Sequence, residues 1–204
     1  MIGSLTALAA IAAVLLVVAI THLGDQGAGD AGAVADAPSS PFRGATMPAG
    51  VRAPDFALRD ENGRTVTMKQ FRGRPVFVTY LYTHCTDTCP ITAQMIRGAL
   101  DDLGHDIPAL AITVDPFRDT ASSARAFLSR QHVTGRIRFL LGKRRRLLPV
   151  WRGFAIQPQL PKAEHQAVIT LVDKRGFQRV ADAVSNTNPE ALAHDARVLE
   201  RERD

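Results

Sequence analysis

The sequence predicts an α/β domain, a mixed β-sheet with helices on both faces. Three apolar, β-rich runs carry this reading, at residues 75–82, 109–114 and 167–172. Each has the length of a strand and is apolar enough to be buried on both faces. Segments with helical spacing follow the first two runs, and an alternating pair of short segments around a turn precedes them all. Composition agrees: 46% hydrophobic and 22% charged residues in a chain of 204 is a globular balance, with length for one ordinary domain and extensions.

Taken in order, residues 54–60 alternate apolar and polar, Glu61-Asn62-Gly63 is a turn signal, and residues 64–68 alternate again, which is a hairpin. Residues 75–82 form the first buried strand. From 90 to 103, Ile91, Met95, Ala99 and Leu103 have helical spacing, and Gly104 closes the helix. The second buried strand, 109–114, runs into Asp115-Pro116-Phe117-Arg118-Asp119-Thr120, where Asp119 and Thr120 are candidate N-caps for a helix reaching about Gln131. A short strand at 137–141 and a helix at 144–154 come next. The third strong strand, 167–172, turns through 173–176 into 177–181. Asn188-Pro189 opens a last helix, with proline at its first position. Strand, helix, strand, helix, then hairpin and helix is the order of the thioredoxin fold with an N-terminal hairpin added.

The N-terminal residues stand apart. Residues 2–20 carry no charge and, at roughly 1.5 Å of rise per residue, are long enough as a helix to span a bilayer core. An uncleaved anchor and a cleavable signal peptide compete here. The basic region that usually precedes a signal's apolar core is missing, which favours the anchor. Neither flank is basic, so the charge rule sets no orientation. Residues 24–50, rich in Gly, Ala, Asp, Ser and Pro, read as a flexible linker. The expected organisation is therefore 1–23 membrane anchor or signal segment, 24–50 linker, and 51–204 folded domain.

The two cysteines of the chain lie together in Tyr82-Thr83-His84-Cys85-Thr86-Asp87-Thr88-Cys89-Pro90. A plain structural disulfide is the bland alternative. So small a loop would contribute only about 2 kcal/mol and restrain little of the chain. The functional reading rests on position. Both thiols sit where a buried strand ends and a helix begins, and backbone N–H groups and the helix dipole favour a thiolate there. Thiol-disulfide oxidoreductases of this fold usually carry two residues between their cysteines, whereas this pair has three. A structural Zn²⁺ site would need two further ligands. Cu(I) is softer and accepts low coordination, so two sulfurs and an imidazole suffice.

The residues resemble the Sco/SenC family, membrane-anchored copper proteins of cytochrome c oxidase assembly. The resemblance is carried by Pro54-Asp55-Phe56-Ala57-Leu58, Phe71-Arg72-Gly73, the cysteine segment and Ile112-Thr113-Val114-Asp115-Pro116-Phe117-Arg118-Asp119-Thr120. It implies copper, Cu(I) or Cu(II), bound by Cys85, Cys89 and a histidine from the loop before a late strand. It also implies delivery to the binuclear copper centre of the oxidase, by a domain on the periplasmic or extracytoplasmic side of the membrane. The partner would be the copper-bearing oxidase subunit or another copper chaperone. A thiol-disulfide reductase using Cys85 and Cys89 as a redox pair on a partner's cysteines is the second reading.

Six histidines compete for the third ligand. His22 and His194 read as incidental, and His105 and His132 as loop or helix-end residues. His84 adjoins Cys85, and on an extended backbone neighbours face opposite sides. His165 precedes the strand expected beside the cysteine-bearing one, in the loop where thioredoxin-like folds bring a residue to the cysteines. His165 is therefore the expected ligand. Arg136, Arg138, Lys143 and Arg144-Arg145-Arg146 form a basic cluster, read first as a solvated helix face and second as a docking surface. The net charge of +5 is scattered and comes with no nucleic-acid motif, which argues against nucleic-acid binding.

Overall fold

A computed structural model describes residues 40–158 and 167–203. The anchor segment, the linker before residue 40 and His165 lie outside the described residues. Among the described residues, no helix is long and apolar enough to cross a membrane.

The hairpin forms as expected. β1 (Ala57–Arg59) pairs antiparallel with β2 (Thr65–Thr67), and Leu58 and Val66 are buried. Gly63 takes a positive φ of 80°, which the tight turn requires. A five-stranded sheet follows, built from β3 (Val76–Leu81), β4 (Ala109–Thr113), β5 (Ile137–Leu140), β6 (Val168–Val172) and β7 (Gln178–Ala183), in the order β5-β4-β3-β6-β7. β3 pairs parallel with β4, and β4 with β5, whereas β6 and β7 run antiparallel. The central strand β3 is buried along its whole length, and its side chains alternate between two cores. Phe77 and Leu81 join α1 (Thr88–Leu103), α2 (Ala121–Arg130) and α4 (Pro189–Arg201) on one face. Val76, Val78 and Tyr80 join the hairpin and α3 (Arg144–Gly153) on the other. β4 repeats the pattern, with Ala109 and Ala111 on the first face and Leu110 and Ile112 on the second.

Several details differ from the sequence reading. α1 starts at Thr88, two residues early, so Cys89 falls in its first turn. Its buried stripe is Cys89, Ala93, Ile96 and Leu100, with Thr92, Ala99 and Leu103, while Ile91 is 50% exposed. A strict four-residue spacing drifts about 40° per step on a helix of 3.6 residues per turn, so the row that starts at Ile91 begins in solvent and reaches the core face only at Ala99 and Leu103. Thr120 does cap α2, accepting the Ser123 N–H in a reciprocal capping box, but Asp119 has another role. The residues at 40–50, read as the end of a linker, are fastened to the domain. Phe42 is buried, the N–H groups of Arg43 and Gly44 donate to the Asp195 carboxylate at 2.7 and 2.9 Å, and that of Ala45 donates to Asp182 at 2.7 Å. A side chain on Gly44 would overlap the Asp182 carboxylate.

Candidate functional site

β3 ends at Leu81, and the chain turns at once, the Cys85 N–H donating to the Tyr82 carbonyl at 3.3 Å. α1 then begins three residues after Cys85. Both cysteines are buried and free, Cys85 at 9% exposure and Cys89 at 1%. The Cys89 N–H donates to Cys85 Sγ at 3.2 Å, and the Thr88 hydroxyl lies 3.8 Å from the same sulfur. These contacts divide the pair. The hydrogen bond with the Cys89 thiol, joined by the Asp87 and Cys89 N–H groups and the Thr88 hydroxyl, lowers the Cys85 thiol to about 5 against the opposing effect of burial. The Cys89 thiol is pushed up, first by that same hydrogen bond and then by burial. Tyr82 is pushed up to about 12, by burial and by its contact with Cys85.

Asp119 fixes the turn that carries Cys85. Its carboxylate accepts the Thr83 N–H at 2.8 Å, the Thr83 hydroxyl at 2.7 Å and the Thr113 hydroxyl at 2.5 Å. Thr113 closes β4, and its carbonyl accepts the Trp151 indole N–H of α3 at 3.0 Å. One buried carboxylate therefore ties the ends of two parallel strands together, and burial raises its pKa. The sequence offered Asp119 as a possible helix cap and as part of the segment that carries the family resemblance. The signal that points to its true role is the threonine directly before the cysteine segment's histidine, and no local pattern exposes a partner 36 residues away.

The histidines sort as follows. The chain at Thr83 and His84 is a turn rather than extended, so the expected opposite orientation of His84 does not hold. His84 and Cys85 line one open hollow of about 510 Å³, together with Thr86, Pro90, Arg118 and Arg130. His84 Nδ1 lies 3.1 Å from the Thr83 hydroxyl. His105 pairs with Glu200 at 2.7 Å and His194 with Asp195 at 2.9 Å, and His132 is exposed. Among the described residues, no group of three or more His, Cys, Asp or Glu side chains is arranged to hold a metal. β6 is antiparallel to β3, and the Thr79 hydroxyl donates to the Val168 carbonyl at 2.8 Å. Val168 thus begins β6 beside the end of β3 that leads to Cys85. The basic cluster is divided: Arg136 bonds Asp101 and Asp106, Arg138 lies over the Phe71 ring, and residues 143–146 are exposed without an ion pair among the described residues.

Fold and site together define a thioredoxin-like protein with a dithiol at the start of its first helix. The chain belongs to the SCO1/SenC family, whose model matches residues 45–199. Protein SCO2 homolog, mitochondrial, of Bos taurus is 31% identical over 121 residues, covering 56% of this chain and 45% of that protein. Protein SenC of Rhodobacter capsulatus is 40% identical over 68 residues, covering 32% of this chain and 31% of that protein. The chain thus spans less than half the length of either curated relative. Among solved structures, copper-bound ScoI of Bradyrhizobium japonicum is 27% identical with a TM-score of 0.59, covering 72% of this chain and 99% of that one. A SCO1/SenC family lipoprotein of Bacillus anthracis has the same fold at 21% identity and a TM-score of 0.67, covering 78% of this chain and 98% of that one.

Proposed function

We propose that this chain binds a copper ion through Cys85, Cys89 and His165 and serves in maturing the binuclear copper centre of cytochrome c oxidase. The observation that carries the reading is the paired thiol site, with Cys85 Sγ accepting the Cys89 N–H at 3.2 Å and the second sulfur in the first turn of α1. Two thiolates form a soft donor set, which suits Cu(I). The relative with 27% identity supports the choice of metal, since its structure holds copper. Copper is cargo in this reading. Cys85 meets it already ionised, Cys89 gives up its proton on binding, and Asp119 keeps the turn at Thr83 in place. The anchor expected at residues 1–23 would hold the domain at the extracytoplasmic face of a membrane, near an oxidase subunit.

The test is copper stoichiometry and X-ray absorption on the reduced chain. One copper per chain is expected, with a sulfur-rich signature that changes in His165→Ala. A fully reduced wild-type chain that binds no copper overturns the reading.

The divided pair supports a second reading, thiol-disulfide reduction. The Cys85 thiolate would attack a partner disulfide, and Cys89 would then close the Cys85–Cys89 bond and release the partner as two thiols, so that two electrons pass to the partner. This needs no histidine ligand. Reductase activity that survives His165→Ala, with copper binding lost, favours it.

A further inference from the structure

The described residues leave two large hydrophobic side chains exposed, Phe117 at 81% and Ile91 at 50%. Both adjoin in sequence residues that line the hollow at Cys85. Ile91 is two residues past Cys89, next to Pro90 of the hollow's wall. Phe117 precedes Arg118, which lines the hollow with Cys85, and lies two residues before Asp119, which holds Thr83. Isolated exposed apolar residues are ordinary, but each of these two adjoins in sequence a residue that walls the same reactive opening. The charged or titratable side chains lining the hollow, besides Cys85, are His84, Arg118 and Arg130, with no carboxylate among them. Arg118 lies 4.0 Å from Asp115, and Arg130 is exposed with no ion pair among the described residues.

We infer that this rim is a docking surface for a protein segment that presents an apolar and an acidic side chain beside its own sulfur ligand or cysteine. Phe117 and Ile91 receive the apolar side chain. Arg130, with Arg118, receives the acidic one, and this sets the segment's direction across Cys85. A neutral or basic segment leaves Arg130 without a counterion, so the same surface selects among soluble thiols. The inference rests on the reading of Cys85 and Cys89 as the working centre.

The test follows the reaction of the reduced, metal-free full chain with 2-pyridyl disulfides, in which Cys85 attacks the probe and pyridine-2-thione leaves. Three probes are compared: the mixed disulfide of 2-mercaptoethanol, a peptide with Leu and Asp flanking its cysteine, and the same peptide with Ser and Lys. The wild type is expected to react about tenfold faster with the Leu/Asp peptide than with the Ser/Lys peptide, the size of one interface anchor. Phe117→Ser and Arg130→Gln should each bring that ratio towards one, with the small probe's rate unchanged. Equal rates for both peptides in the wild type, a preference for the Ser/Lys peptide, or a ratio that both variants retain would overturn the docking surface. Failure of the small probe to react overturns the dithiol reading itself, and the surface with it.

Discussion

The domain uses buried carboxylates to gather hydrogen-bond donors, and two of these places serve different ends. At the end of β3, Asp119 holds Thr83 and Thr113. At the entry of the chain into the domain, Asp195 of α4 holds Arg43 and Gly44, while Asp182 of β7 holds Ala45. The physical device is the same: a carboxylate withdrawn from water and repaid by donors it cannot lose without leaving them bare. The settings differ. Asp119 holds Thr83, two residues before the cysteine whose thiol is lowered to about 5, and so it bears on that thiol's ionisation. Asp195 and Asp182 fasten an entering segment, and they shape stability alone.

The contrast breaks first at the cysteines. Cys85 should react with iodoacetamide at half its plateau rate near pH 5 and evenly above about pH 6, because a lowered thiol is already ionised there. Cys89, pushed the other way, should stay unmodified through neutral pH. Mass spectrometry of the singly alkylated chain reads both. Asp119→Ala should move the Cys85 profile towards alkaline pH, whereas Asp195→Ala should leave it unmoved; a shift in the second variant would erase the distinction. The linkage has a definite sign. The folded Cys85 is lowered, so its contribution to stability is complete above the range of an unfolded thiol and fades as pH falls through about 5.

Stability gives smaller effects. Asp119→Ala removes the acceptor of three hydrogen bonds and should destabilise by about 3 kcal/mol, measured by chemical denaturation. Asp195→Ala strands two N–H groups and should destabilise by about 2 kcal/mol. Gly44→Ala, which drives a methyl group into Asp182, should destabilise by about 1 to 3 kcal/mol and leave the alkylation profile as it was. The smallest change is Asn188→Ala, which removes the α4 cap accepted from Ala191 N–H and should destabilise by about 1 kcal/mol.

Much of this was legible in the chain. The three apolar runs became β3, β4 and β6, because a strand buried on both faces needs no alternation and has few other homes. Caps at Thr120 and Asn188 were local, so local patterns found them. The carboxylate devices were not legible, since Asp195 meets Arg43 across 152 positions and nothing in a Gly- and Ala-rich segment announces the meeting. The same lack hid the fastening of residues 40–50. The orientation of His84 differs for another reason: the backbone at Thr83 and His84 is a turn and not extended. At the site, the cysteine pair was readable from its place after β3, and the structure adds how differently the two thiols are held. His165 lies outside the described residues.

The first turn of α1 has no capping hydrogen bond from the Asp87 side chain. Its Cys89 amide is answered instead by Cys85 sulfur. The helix end and the thiol therefore share one electron pair, and their equilibria are reciprocal. Whatever steadies that turn makes Cys85 a stronger acid. Whatever claims the sulfur's electrons, an alkyl group, a metal or a second sulfur, withdraws the terminal acceptor of the helix. The Cys89 amide proton is in consequence a gauge for the state of the neighbouring sulfur, readable as a chemical shift.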